Sequence, residues 1–306
     1  MSSQYESIES GFLAPEPHES RSESSGPGFI RTYTPEQRRR ILDSISRQLN
    51  RVEDWHARRH AQPLLVRRGS LLDAADELAR PFQASHKIKQ QLTNAIDHLH
   101  ALRALLVNAG VQHIYAPYTL IRPALEGAVG VLFIFMDATP QSVALRTLRD
   151  EHSSILEMHK AAITIGVPED AADAEKAKRT KLIDDVIDTA SFRKSDVKGA
   201  TKSMTKKMEL VTRFYHLGPM PHSMWQICSA ASHGTRWALP MLAMFDADDD
   251  GKSPTITGQI VSDEATILRS LMTACDVLER AFTVVDAHCL PTGHNGQSFI
   301  APRGLQ

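Results

Sequence analysis

This chain of 306 residues has almost no net charge, few cysteines and no long apolar run. Each shortage excludes a class of protein. A formal net charge of −1 supplies no global field to attract nucleic acid, an anionic membrane or a polyanionic substrate. Its three cysteines, Cys228, Cys275 and Cys289, are an odd and widely spaced set. They read as reduced thiols and not as a disulfide framework, which favours the cytoplasm. The longest uncharged apolar stretch, Gly127–Met136, falls short of the roughly 17–25 residues that a membrane-spanning helix needs. Met1 to Ser10 are polar and acidic, so no secretory signal is expected. Gly-x-Gly-x-x-Gly, Gly-x-x-x-x-Gly-Lys, Cys-x-x-Cys, His-Glu-x-x-His and Gly-x-Ser-x-Gly are all missing. With them go the usual signatures of dinucleotide, P-loop, zinc and hydrolase-elbow sites. No cofactor and no metal is expected.

What is present is helical periodicity. Residues 1–33 are Ser-, Glu-, Pro- and Gly-rich and read as a disordered acidic tail, because such a composition cannot offset its ordering entropy by burial. Thr34-Pro35-Glu36-Gln37 is a capping box with proline at the first helical position, followed by Ile41, Ile45, Leu49 and Val52 at helical spacing. A short helix fits 70–79, capped by Ser70 and closed by Pro81. Ile88, Leu92, Ile96, Leu99, Leu102 and Leu106 form one apolar face that ends at Gly110.

The segment 117–136 is apolar nearly all round and is predicted to be central. Thr139-Pro140 opens a helix that runs to Gly166. Residues 168–215 read as a polar helical insertion of two exposed helices, with a loop near 191–198. Helix is then predicted through Trp225, Trp237 and Leu242, and again after a Ser262 cap. Residues 246–258 read as a polar loop with room for a short hairpin, and 291–306 as a C-terminal tail. The expected fold is all-α: one helical bundle domain over 34–290 behind a disordered tail.

Several polar sets compete as sites. Between Arg31 and Arg68 lie ten Arg and four acids, and Arg40, Arg47, Arg51 and Arg58 share a stripe that could follow phosphates. Glu36, Asp43 and Asp54 each precede an Arg of that stripe by four residues, an order that neutralises it. A second basic tract, Arg193 to Arg213, holds seven bases and two acids and keeps RNA open as a partner. Glu53, His56 and His60 have metal-ligand spacing but no fourth ligand nearby in sequence. Asp246, Asp248, Asp250 and Gly251 match the first half of an EF-hand loop, but Thr257 stands where its bidentate Glu is required.

One set is favoured. Arg122 and Glu126 sit four apart at the start of the most apolar helix, with Pro123 between them freeing a carbonyl. Ser229, His233 and Gly234 occupy a second apolar stretch, in which Gly234 would allow close helix approach. A charge in such surroundings must be partnered, so Arg122, Glu126 and His233 are expected to converge. Two readings stay open. One is a site, with His233 as acid/base, Arg122 on an anionic group and Glu126 orienting one of them. The other is a polar strut that fixes helix register.

The Arg122-x-x-x-Glu126 helix together with Ser229-x-x-x-His233-Gly234 resembles a loose group of uncharacterised helical proteins of bacteria and phages. Some of these are likened to the HEPN-like superfamily, whose active members are metal-independent ribonucleases or toxins. The resemblance implies a helical fold. It also implies Arg146 and His152, with Thr147 between them, as an alternative catalytic pair. Function is therefore expected to be binding or self-association, with a homo-oligomer possible and no membrane. The alternatives are a HEPN-like ribonuclease or defence protein, and a metal-carboxylate helical-bundle enzyme.

Overall fold

A computed structural model describes residues 33–61, 64–248 and 257–291. The acidic tail, the C-terminal tail beyond Pro291, and Asp250 and Gly251 of the acidic motif lie outside the described residues. Among the described residues eleven α-helices run in chain order: α1 Pro35–Ala61, α2 Leu71–Ala79, α3 Ala84–Arg103, α4 Ala116–Ile134, α5 Pro140–Thr164, α6 Glu169–Thr189, α7 Lys194–Lys198, α8 Met204–Phe214, α9 Met220–Ser232, α10 Leu239–Leu242 and α11 Glu264–His288. A π-helical turn, Ala104–Asn108, follows α3, and a 3₁₀ turn, Arg236–Ala238, precedes α10. Two strands, β1 Ala243–Asp248 and β2 Thr257–Ser262, pair antiparallel with Ala243 opposite Ser262 and Asp248 opposite Thr257. The all-α expectation holds, with this one hairpin added.

Several predicted caps form. Thr34 N–H donates to Gln37 Oε1 (2.9 Å) and Gln37 N–H to Thr34 Oγ1 (3.2 Å), closing the capping box of α1. Ser70 Oγ accepts from Asp73 N–H at the start of α2, and Thr139 and Ser142 cap α5 reciprocally. At α11 the cap moves by one residue. Asp263, not Ser262, holds the first turn, its carboxylate accepting from Ala265 N–H (3.1 Å) and from the Thr266 hydroxyl (2.6 Å). Ser262 is instead the last residue of β2. Strand pairing holds Ser262, so the next residue caps.

By internal packing the described residues divide into two compact units. The first comprises 33–61, 93–127, 217–248 and 257–278; the second 64–92, 128–216 and 279–291. The chain passes between them within α3, α4 and α11. In the first unit Leu49, Val52, Leu99, Leu102, Tyr118, Ile121, Leu125, Cys228, Leu271 and Leu278 are buried. In the second, α5 packs against α2, α6 and α7. Ala79, Ala144, Leu148, Ile155, Ile183, Val186, Ile187 and Val197 form its apolar cluster. The stretch read as two exposed polar helices thus has a buried side, supplied by the second half of α6, and α7 occupies the expected loop. Low average apolar content hid a four-residue apolar patch.

Candidate functional site

The first unit builds one polar constellation from α4 and α9. Pro123 lies within α4, and the helix continues past it to Ile134. Arg122 and Glu126, one turn apart, are joined by Arg122 Nε donating to Glu126 Oε1 at 2.9 Å. The same oxygen accepts the indole N–H of Trp225 at 2.8 Å. Arg122 Nη1 lies 3.3 Å from His233 Nε2 and donates to it when the imidazole carries its proton on Nδ1. Arg122, Glu126 and His233 therefore converge as expected.

Their setting is wetter than expected. The Arg122 and Glu126 side chains keep 25% and 27% exposure, and His233 is exposed. The reason is local. Helix α9 ends at Ser232, where a helix through to Leu242 was predicted. Gly234 takes φ 62°, Gly234 N–H donates to the Ala231 carbonyl (3.1 Å) and Thr235 N–H to that of Ala230 (2.9 Å). This is the Schellman stop, for which glycine is suited because it has no Cβ to strain. Gly234 is thus a terminator and not a close-approach position; a Cβ there would meet nothing within 4 Å. The stop carries His233 to the rim of the helix, where water reaches it.

Beside His233 is an open depression of about 340 Å3 lined by Trp225, Gln226, Ser229, Ala230, His233, Thr235 and Trp237. Trp237 is 52% exposed at its edge. Sequence reasoning missed both tryptophans as site residues, because neither stands at a fixed spacing from Arg122 or Glu126. Cys228, one turn before Ser232, is no nucleophile. Burial pushes its thiol up to about 12, against the lowering effects of Ser270 and Arg122.

The alternative pair is not assembled. Arg146 and His152 are six residues apart on α5, about 120° apart around the helix. The Arg146 Nη1 donates to the carbonyls of Ile134 (3.0 Å) and Met136, closing the end of α4, and its guanidinium lies 5.7 Å from the centre of the Phe133 ring. Burial lowers its pKa, opposed by Asp137. His152 instead neighbours Lys198 and Asp184; burial first, then Lys198, holds its imidazole below the usual value.

The remaining candidates resolve differently. Glu53 Oε2 lies 3.4 Å from Arg103 Nε and 3.6 Å from His100 Nε2, and His56 stacks on His100 with ring centres 4.0 Å apart. The His60 side chain lies outside the described residues. No group of three or more His, Cys, Asp or Glu among the described residues is arranged to hold a metal. Asp246 and Asp248 belong to β1, one arm of the hairpin for which the polar loop left room. On the arginine stripe Glu36 pairs with Arg40 as foreseen (2.9 Å), whereas Arg47 bonds Ser44. In the second basic tract Arg193 pairs with Asp196, Lys194 and Lys198 with Asp184, Lys206 with Glu209 and Lys207 with Asp150. The acids that neutralise Lys194, Lys198 and Lys207 come from other helices, so the tract is much less cationic than its sequence.

Fold and site together define a mostly helical protein in which Arg122, Glu126 and His233 form a partly exposed polar set beside an open depression. Compared with models of known protein families, with curated proteins and with solved structures, the chain matches none. No described helix is long and apolar enough to cross a membrane.

Proposed function

We propose that the protein acts by binding, and that its first unit takes a small anionic ligand at Arg122 and His233. The observation that carries this reading is the 3.3 Å approach of Arg122 Nη1 to His233 Nε2 at the rim of an open depression. A carboxylate or phosphate placed there takes N–H donors from Arg122 and, in the tautomer that carries its proton on Nε2, from His233 as well. Glu126, itself held by the Trp225 indole N–H, takes the guanidinium at Nε, which leaves the Nη groups to His233 and to a ligand. Trp237 offers a flat apolar surface for the rest of the ligand.

A cytoplasmic location fits this reading, since Cys228, Cys275 and Cys289 are all buried thiols. The HEPN-like, RNA-cleaving alternative fits only with His233 as its acid/base, because Arg146 is committed to main-chain carbonyls. Titration with inorganic phosphate and with a nucleoside monophosphate tests the binding claim. Saturable binding should fall at least tenfold in Arg122→Gln and in His233→Ala and stay unchanged in Arg146→Ala. Equal binding by all four proteins would refute the site. Chelator-resistant RNA cleavage that is lost in His233→Ala would convert the site from binding to acid/base catalysis.

A further inference from the structure

The second unit carries an apolar surface that its own fold leaves open. Helix α5 ends in a Schellman stop of its own. Gly166 has φ 88°, Gly166 N–H donates to the Ile163 carbonyl (3.0 Å) and Val167 N–H to that of Ala162 (2.9 Å). Eight residues around that stop, 161–168, carry no charge. Ile165 is 80% exposed, and Ile163, Val167 and Met158 are each exposed by a third or more. Apolar side chains grouped at the tip of a helical hairpin, with charged helix on one side, mark an interaction surface.

Helix α6 says what fits there. Its buried side is Ala172, Ile183, Val186 and Ile187. Helical spacing puts Asp170, Ala174, Lys178 and Lys181 on the opposite side of α6, a helix that begins two residues after Val167 of the tip. Over 169–181 the charges of α6 come in order: Glu169, Asp170, Asp173 and Glu175, then Lys176, Lys178, Arg179 and Lys181, with Asp184, Asp185 and Asp188 following in the last turns. A segment that is acidic and then basic, as 169–181 is, is complementary to its own reverse.

Two of the three outward charges are left over. Asp173 bonds His159, Glu175 bonds Arg179 and Lys181 bonds Asp185, whereas Asp170 and Lys178 form no ion pair among the described residues. A two-fold axis through Ala174 places Asp170 of one chain against Lys178 of the other, twice over, and a side chain as small as Ala174 lets the helices approach.

We propose that this face pairs with a second copy of the chain, α6 against α6 in antiparallel, with the Ile163–Val167 tips covered at either end. Such an interface is self-complementary and closes at two chains. It rests on the second unit alone and is independent of the anion site.

Sedimentation of the full chain at tens of micromolar tests it. The wild type should be a dimer. Ile165→Asp should be a monomer with an unchanged circular dichroism spectrum, because Ile165 is mostly exposed within the chain. Asp170→Lys and Lys178→Asp, each placing like charges together, should raise the dimer dissociation constant at least tenfold. The double exchange, Asp170→Lys with Lys178→Asp, should restore it. A monomeric wild type, a dimer indifferent to the single reversals, or a double exchange that fails to restore pairing would each overturn the proposal.

Discussion

Arg122 and Arg146 stand in two different surroundings, and the contrast shows what separates a site from a brace. Both are partly buried arginines beside apolar helix, and both have a histidine within reach of a sequence argument. Arg146 gives its Nη1 donor to two carbonyls at the end of α4, and its guanidinium faces Phe133. Arg122 gives Nε to Glu126 and meets His233, an exposed side chain. A guanidinium satisfied by main chain closes a helix end and has little left for a ligand. One satisfied by side chains at the rim of a depression can exchange a partner for an anion.

The largest effect that tests this contrast is on stability. Arg146→Ala removes charged hydrogen bonds to carbonyls that burial denies to water, and should cost about 2–3 kcal/mol in urea unfolding. Arg122→Ala leaves Glu126 with Trp225 and with solvent, and should cost about 1 kcal/mol or less. If Arg122→Ala costs as much as Arg146→Ala, the Arg122 set is a strut and the contrast fails.

Glu126→Ala comes next, at about 1–2 kcal/mol, from the Trp225 indole left without its acceptor. An uncompensated arginine in a dry interior would cost about 3–5 kcal/mol; here side-chain exposures of 25% and 27% let water replace the lost carboxylate. Glu126→Gln keeps an acceptor and should recover most of the loss. A cost above that range would mean the pair is drier in solution than its exposure implies.

The smallest effect concerns pH. Burial and Lys198 hold the His152 imidazole below its usual value despite Asp184. The unfolded chain then takes up the proton first as pH falls. Stability tied to neutral His152 is present above the ordinary imidazole range, near pH ~6.5, and is lost as pH drops through that range towards the folded value. His152→Gln should flatten the stability curve between about pH 7 and 5. An unchanged slope would show that His152 is not the group whose charging the second unit resists.

Legibility differed between elements for physical reasons. The starts of α1, α2 and α5 were readable because a cap is a contract between residues three apart: Thr34 with Gln37, Ser70 with Asp73, Thr139 with Ser142. The end of α9 was also written locally, in Ser232-His233-Gly234, but the apolar residues after it suggested more helix. Gly234 decides the matter by its positive φ. The start of α11 was misplaced by one residue because β2 claims Ser262, and that pairing partner, Ala243, lies far back in the chain. Of the site, the convergence of Arg122, Glu126 and His233 followed from the cost of leaving charges alone among apolar neighbours. Trp225 did not, since an indole can find an acceptor at many distances along a chain.

By itself the sequence determined the helical class, most of the helix starts and the need for Arg122 to have partners. These depend on periodicity, on neighbours within one turn, and on the energetics of burying charge, all of which act locally. Tertiary structure alone decided that Arg146 closes α4, that Lys194, Lys198 and Lys207 are neutralised by Asp184 and Asp150, and that the tip of α5 is left uncovered. Those outcomes depend on which distant groups arrive beside each side chain, and neither spacing nor composition records that distance.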